Sequence, residues 1–222
     1  KGYFSVNDPE LVVTKAMTEG NAYTVALRVY APSATLNTNF NMLASIGDYS
    51  LGMRLDLSRV QAFISDGSNW FNANGPRVDD SFGDNWHDIA VTYSGTTLTL
   101  IVDGVVVAEN VETTDNVPNT GVAFSLGYDP TTGRYNQDLA FEHVMVYSEA
   151  LTVEQLAADH LPTDENVILW MDFEEDKIVT EEIEGGIQVD KVKFTHKEWT
   201  GTSYTDLDGN QVNAEDVFGI NR

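Results

Sequence analysis

Leu98-Thr99-Leu100-Ile101-Val102-Asp103-Gly104-Val105-Val106-Val107-Ala108 decides the fold. Leu98, Leu100 and Val102 alternate with Thr99 and Ile101, the period of a strand whose two faces differ. Asp103-Gly104 then suits the paired positive-φ positions of a type I′ turn, and Val105 to Ala108 returns as the second arm of a β-hairpin. The same period recurs outward from this hairpin. Tyr23, Val25, Leu27 and Val29 keep it, as do Ile89, Val91 and Tyr93, and Val122, Phe124 and Leu126. Turn signals fall between these runs at Ser94-Gly95, Asn119-Thr120-Gly121 and Asp129-Pro130. Many short strands with frequent turns predict an all-β chain, an antiparallel two-sheet sandwich or a barrel.

Helix is scarce. Thr152 is followed three residues later by Gln155, a capping box that predicts one short helix over residues 152–160, stopped by Pro162. Leu151 and Leu156 are spaced to staple its start. Asn166 to Phe173 reads as a returning strand. Beyond it the composition changes. Glu174, Glu175, Asp176, Glu181, Glu182 and Glu184 precede Gly185-Gly186, and Lys177, Lys191, Lys193, Lys197 and Arg222 gather in the last stretch. A boundary is placed near 178: a sandwich over 1–178, and a C-terminal extension or linker over 179–222 with strand-like pieces. The extension is too short for a core of its own and is expected to pack on the sandwich or reach toward a further domain. The Lys1-Gly2-Tyr3-Phe4 start has no signal-peptide pattern, and both ends read as cut from something longer.

The 222 residues carry 12 Lys plus Arg against 35 Asp plus Glu, a net charge of −23. Between Arg77 and Lys177 the only basic side chain is Arg134. Nucleic-acid binding needs a basic stripe that releases counterions, so nucleic acid is excluded as a partner. No cysteine is present, which removes disulfides, thiolate catalysis and cysteine-ligated metals. No apolar run is long enough for membrane insertion as a helix.

Three blocks, in order, carry a family resemblance. They are Ala22-Tyr23-Thr24-Val25-Ala26-Leu27-Arg28-Val29-Tyr30-Ala31-Pro32; Trp86-His87-Asp88-Ile89-Ala90-Val91-Thr92-Tyr93 with Leu100-Ile101-Val102-Asp103-Gly104; and Phe141-Glu142-His143-Val144-Met145-Val146-Tyr147-Ser148-Glu149-Ala150-Leu151-Thr152. Together they resemble the laminin-G-like, concanavalin A-like jelly-roll domains. The last stretch, Phe194 to Arg222, is similar to linker segments of large multidomain bacterial β-galactosidases. The resemblance implies a two-sheet antiparallel jelly roll serving a secreted or cell-surface bacterial glycosidase. Its implied role is that of a non-catalytic carbohydrate-binding module, a monomer within a larger chain, with a glycan ligand that includes galactose. The alternative is a structural spacer that packs on a catalytic domain and holds no sugar. Protein adhesion ranks third and a glucanase last.

Glucanases on the same jelly roll use Glu-x-Asp-x-Glu on one strand, with two glutamates facing the same way. Here Trp170-Met171-Asp172-Phe173-Glu174 has Trp170 where the nucleophile belongs, so the strand reads as non-catalytic. Histidines 87, 143, 160 and 196 form no zinc-binding spacing, and no G-x-S-x-G elbow occurs. His87 reads as structural, beside a Trp86 assigned to the core with Trp170. The family resemblance also implies a structural Ca²⁺ at a sheet edge. Carried over to this chain, its ligands are Glu142 first, then Asp172, with Glu19 and Asn21 supplying oxygens from the other side.

Sugar sites stack an exposed aromatic on a pyranose and fix hydroxyls with planar polar side chains. The stretch Ser65 to Arg77 has that composition: Asn69, Trp70, Asn72 and Arg77 in a polar, glycine-bearing segment read as a loop. Trp70 is expected to stack on ligand and Phe71 to plug the core. The loop Gly127 to Asp138 is the second candidate, with Tyr128, Arg134 and Tyr135; Arg134 reads equally well as a charge-balancing partner. Tyr49 and Arg54, on the segment Ile46 to Leu55, would complete a concave face.

Overall fold

Asp103 (φ 50°) and Gly104 (φ 74°) both adopt the left-handed backbone that a type I′ turn requires, so the hairpin predicted from Leu98 to Ala108 is formed. A computed structural model describes residues 13–14, 17, 22–36, 38–46, 51–65, 68–78, 81–111, 121–136, 138–157 and 166–171 in full. It describes the backbone alone of 4–5, 172, 178–183, 187–192, 204–205 and 211–212. The strands, in chain order, are β1 (Phe4–Ser5), β2 (Tyr23–Ala31), β3 (Asn41–Ser45), β4 (Leu51–Leu55), β5 (Arg59–Ser65), β6 (Trp70–Arg77), β7 (Asn85–Tyr93), β8 (Leu98–Val102) and β9 (Val105–Asn110). They continue with β10 (Ser125–Leu126), β11 (Tyr128–Asp129), β12 (Arg134–Tyr135), β13 (Ala140–Tyr147) and β14 (Val167–Asp172).

Two six-stranded sheets face each other. The first runs β1-β10-β3-β4-β5-β6 and the second β14-β13-β2-β7-β8-β9. Every pairing in both is antiparallel. The β2–β7 register is unbroken from Tyr23↔Tyr93 to Ala31↔Asn85. Because side chains alternate, Tyr23, Val25, Leu27 and Val29 all point inward with Ile89, Val91 and Tyr93. Leu51, Met53, Leu55, Val60, Ala62 and Ile64 meet them from the first sheet. β11 and β12 form a separate two-stranded hairpin. Two further backbone hairpins pair β15 (Ile178–Ile183) with β16 (Ile187–Val192), and β17 (Tyr204–Thr205) with β18 (Gln211–Val212).

A short helix, Val153–Ala157, follows β13. Its capping box is reciprocal: Gln155 N–H donates to Thr152 Oγ1 (3.3 Å), and Thr152 N–H donates to Gln155 Oε1 (2.8 Å). Leu151, Leu156, Tyr147 and Val167 cluster behind it. Residues 158–165, with the predicted stop at Pro162, lie outside the described residues.

Two expectations are corrected. Residues 70–77, read as a loop, are the edge strand β6. Phe71 and Ala73 turn inward while Trp70, Asn72 and Asn74 turn outward, and an edge strand tolerates Gly75 and Pro76 because one side of it makes no ladder bonds. Trp86, assigned to the core, is 41% exposed on the outer face of the second sheet, tilted against Tyr30 (centroids 5.7 Å apart). Trp170 is half-buried there too, because residues 86 and 170 fall on the outward phase of β7 and β14. His87 is structural as expected. Its ring stacks on Phe82 (3.6 Å, 1°), Nε2 meets the Phe82 carbonyl (2.8 Å) and Nδ1 meets the Asp103 carboxylate (2.8 Å). Asp103 also accepts from Asp88 N–H (3.0 Å), which ties the hairpin turn to β7.

Two predictions follow from these contacts. Tyr23 is fully buried with its ring against Tyr93 (5.3 Å), and its hydroxyl has no hydrogen-bond partner among the described residues. Burial first, then Tyr93, pushes its pKa well above the usual phenol value. An unsatisfied buried hydroxyl opposes folding, so Tyr23→Phe is expected to raise urea-unfolding stability by about 1 kcal/mol; a clear loss would show that the hydroxyl is used. Asp84 accepts from Ser33 N–H (3.0 Å), and that bond first, with Tyr30 also contributing, lowers its pKa. A lowered folded pKa contributes stability that is complete above the unfolded value of about 3.9 and lost as pH falls through the folded one. Asp84→Asn should therefore melt below the native chain at neutral pH, with the gap closing in acid.

Candidate functional site

The inward set of β4, β5 and β6 forces the alternate set onto the outer face of the first sheet, where Trp70 is exposed, Arg54 is largely covered and Phe63 is buried. Gly52 pairs with Phe63, Arg54 with Gln61, Phe63 with Asn72, and Ser65 with Trp70. The Arg54 guanidinium lies 4.9 Å from the ring centre of Phe63 and 4.9 Å from that of Phe40. Arg134, delivered by β12, covers Phe40 at 4.0 Å. Trp70 tilts against Phe63 at 5.4 Å and 49°. The result is a continuous ladder: Arg134, Phe40, Arg54, Phe63, Trp70. Each rung is a cation–π or edge-on aromatic contact, worth roughly 0.5–1.5 kcal/mol when partly desolvated.

Local devices hold each rung. Arg54 Nε donates to Gln61 Oε1 (2.9 Å), and its Nη2 lies 3.6 Å from Asp56 Oδ2. Asp56 also accepts from Phe40 N–H (3.3 Å). Phe40 sits at φ 56°, a left-handed conformation that costs a non-glycine residue on the order of 1–2 kcal/mol. The β11–β12 hairpin is anchored by Gly127 N–H on the Leu43 carbonyl and Asn136 N–H on the Gly127 carbonyl, both 2.8 Å. Inside it the fully buried Asp129 accepts from Thr131 N–H (2.9 Å), Thr131 Oγ1 (2.7 Å) and Thr132 Oγ1 (2.7 Å). Tyr128 and Tyr135 stack at 4.7 Å.

The structure thus brings Arg54, Trp70 and Arg134 onto one surface, with exposed Asn69 and Asn72 beside Trp70 and the Tyr128–Tyr135 stack on the hairpin that carries Arg134. Arg77 stands apart, opposite Arg59 at the far end of β6. Tyr49 lies outside the described residues. Arg134 covers an aromatic ring, a role neither sequence reading gave it. Phe40 and Phe63, the rungs that join the ladder, and Asp56 and Gln61, which orient Arg54, were not anticipated. Their signal was available: Phe63 occupies the outward phase of β5 between Gln61 and Ser65, and Phe40 stands between two asparagines.

The calcium expectation meets a different arrangement. Glu142 Oε2 is 2.6 Å from Arg28 Nε, and Arg28 Nη1 donates to Asp88 Oδ2 (2.9 Å). Partial burial opposes the guanidinium charge, but the hydrogen bond and charge of Asp88, then those of Glu142, raise the Arg28 pKa above its usual value. Calcium takes about six to eight oxygens, more than this one carboxylate supplies. Among the described residues no group of three or more acidic or histidine side chains converges. Glu19, Asn21 and the Asp172 side chain lie outside those described.

Comparison with known proteins agrees with this architecture. Residues 2–157 match the Laminin G 3 family, described as the concanavalin A-like lectin/glucanases superfamily. The chain belongs to that family. No curated protein matches the sequence significantly. Among solved structures, a Bacteroides ovatus protein provisionally assigned to carbohydrate binding superposes with a TM-score of 0.56 at 17% identity, covering 89% of this chain and 57% of that one. The chain therefore spans little more than half of that relative. The carbohydrate-binding module, CBM40, of a Ruminococcus gnavus IT-sialidase superposes at 0.55 and 16% identity, covering 71% and 92%. Its complex with α2,3 sialyllactose gives 0.51 with the same identity and coverage. These likenesses concern the fold.

The ladder depends on Gly52. A Cβ there would overlap the Phe63 ring, which is only 1% exposed. Gly52→Ala is expected to destabilise the chain by about 1–3 kcal/mol through overpacking and to shift Trp70 emission as Phe63 moves. A variant with native stability and spectrum would show that the ring has room to yield.

Proposed function

We propose that the outer face of the first sheet, around Trp70, binds glycans, as a non-catalytic carbohydrate-binding module. The single observation that carries this reading is the ladder: an exposed Trp70 (43%) is backed by buried Phe63 and linked through the largely covered Arg54 and through Phe40 to Arg134. An indole face suits the apolar side of a pyranose, and guanidinium and amide groups suit hydroxyls and carboxylates. Galactose-containing glycans are the proposed ligands. The preference is for those that also carry an acid group, because two guanidiniums meet on this face of a chain of net charge −23. The support from relatives is that one of them has been seen with sialyllactose. The proposed parent is a secreted or cell-surface bacterial glycosidase. A calcium site is proposed at Glu142, Asp172, Glu19 and Asn21, its sign being a melting midpoint that falls in EDTA.

A spacer without sugar is the second reading, favoured by the fact that Arg54 is already engaged by Gln61 and Asp56. A glycan array separates the two. Lactose and sialyllactose probes are expected to bind, the acidic one more tightly. Trp70→Ala should lose binding by about tenfold or more, the scale of one stacking contact. Arg134→Ala should abolish the preference for the acidic glycan. A blank array on folded protein would favour the spacer.

A further inference from the structure

The outer face of the second sheet carries one unbroken apolar row. Trp170 pairs with Met145, Met145 with Ala26, Ala26 with Ala90, Ala90 with Ile101, and Ile101 with Val106. The row crosses all six strands, about 24 Å at the usual strand spacing. The helix Val153–Ala157 lies over the middle of the row, with Val153 and Leu156 packed on Ala26, Ala90 and Ile101, each 6% exposed or less. Beside the helix remains a cavity of about 800 Å³, whose depth comes from alanines in the two central strands, between the larger Met145 and Ile101. Its uncovered end is polar, lined by Arg28, Asp88, Asp103 and His143.

Charge selects what this cavity takes. Arg28 is shared between Asp88 and Glu142, and Asp103 pairs with His87. In each pair the carboxylate is the more exposed member: Asp88 59% and Glu142 45% against 36% for Arg28, and Asp103 51% against 11% for His87. Water therefore meets more carboxylate than guanidinium along this rim. Val106, 44% exposed, continues the apolar row to the sheet edge. A second copy is a poor occupant, because it would add another net charge of −23 to a face already rimmed with carboxylates.

We infer that this groove docks a polypeptide segment of a neighbouring domain that sets apolar side chains in the trough beside the helix and lysine or arginine against Asp88, Asp103 and Glu142. The assignment is independent of the glycan reading, which concerns the opposite sheet. It gives the two faces separate tasks, ligand on one and partner on the other.

The test is NMR titration of the full chain with a short peptide of alternating leucine and lysine, its leucine–glutamate twin as control. Amide shifts are expected to concentrate on the row and on residues 88 and 103. Asp88→Lys and the exposed-edge variant Val106→Lys should each weaken binding by about tenfold or more, while Trp70→Ala leaves it unchanged. Shifts spread evenly over the acidic surface, equal binding of the glutamate twin, or unaltered binding by both lysine variants would each overturn the inference. The chain lacks cysteine, so a nitroxide on Thr200→Cys gives a further arm. Broadening of the row before any peptide is added would name the chain's own C-terminal residues as the occupant and overturn the assignment to a neighbour.

Discussion

The structure depends on the unbroken pairing of β2 with β7. A one-residue slip there would turn Tyr23, Val25, Leu27 and Val29 out to water and bring Thr24, Ala26, Arg28 and Tyr30 into the core. Burying Arg28 without a partner would cost several kcal/mol, so the register is held by what it keeps outside as well as by what it buries. The same register aligns Ala26 with Ala90 and Arg28 with Asp88, so the groove and its charged rim are consequences of the pairing that builds the core. His87 and Asp103 extend that control to the β8–β9 hairpin, since the carboxylate at the turn is bonded to both the side chain and backbone of β7.

The ladder on the other sheet is built at a cost. Phe40 holds a left-handed backbone, Arg54 is bound on three sides, and Gly52 gives up its side chain beneath Phe63. None of this is required to close the sandwich, whose inward residues pack without it. Strain kept at a surface where cations and aromatics interleave is the pattern of a preorganised recognition face. Asp56 is central to it. One carboxylate oxygen faces the guanidinium of Arg54 and the other accepts the Phe40 N–H, so the conformation of the ring and the position of the cation are set together.

Much of the fold was legible because alternation and turn chemistry are local. The Asp103-Gly104 turn, the capping box of Thr152 and Gln155, and the inward sets of β2, β7 and β8 are written in neighbouring residues. What misled was composition. Asn69 to Arg77, rich in asparagine and interrupted by Gly75 and Pro76, has the content of a loop and the alternation of a strand, and at a sheet edge alternation prevails. The tryptophans failed for a related reason: large and apolar, Trp86 was assigned inward, although its phase relative to His87 and Ile89 places it outward. In the candidate site, Trp70, Arg54 and Arg134 were legible as residue types. Their connection was not, because Phe40 and Phe63 join them through contacts between elements far apart in sequence. Glu142 shows the same limit in reverse, since the carboxylate suited to a cation is matched by an arginine on a strand over a hundred residues earlier.

The two faces differ in a way that bears on their roles. On the first sheet the cations lie against rings, and one end of the ladder is an exposed indole; the proposed recognition there would rest on that indole with donors beside it. On the second sheet Arg28 lies between two more exposed carboxylates, beside an apolar trough. A sugar presents many hydroxyls and little net charge, so it gains most where aromatic faces are already desolvated and oriented. A basic, apolar-edged peptide gains most where an apolar row meets a carboxylate rim that also discourages self-association of an acidic chain. Since antiparallel strands display alternate residues on opposite faces, each sheet of a sandwich keeps one phase for the core and has the other to spend on recognition. Here the two outward phases carry different electrostatic character, so the two proposed sites lie on opposite faces and would not compete.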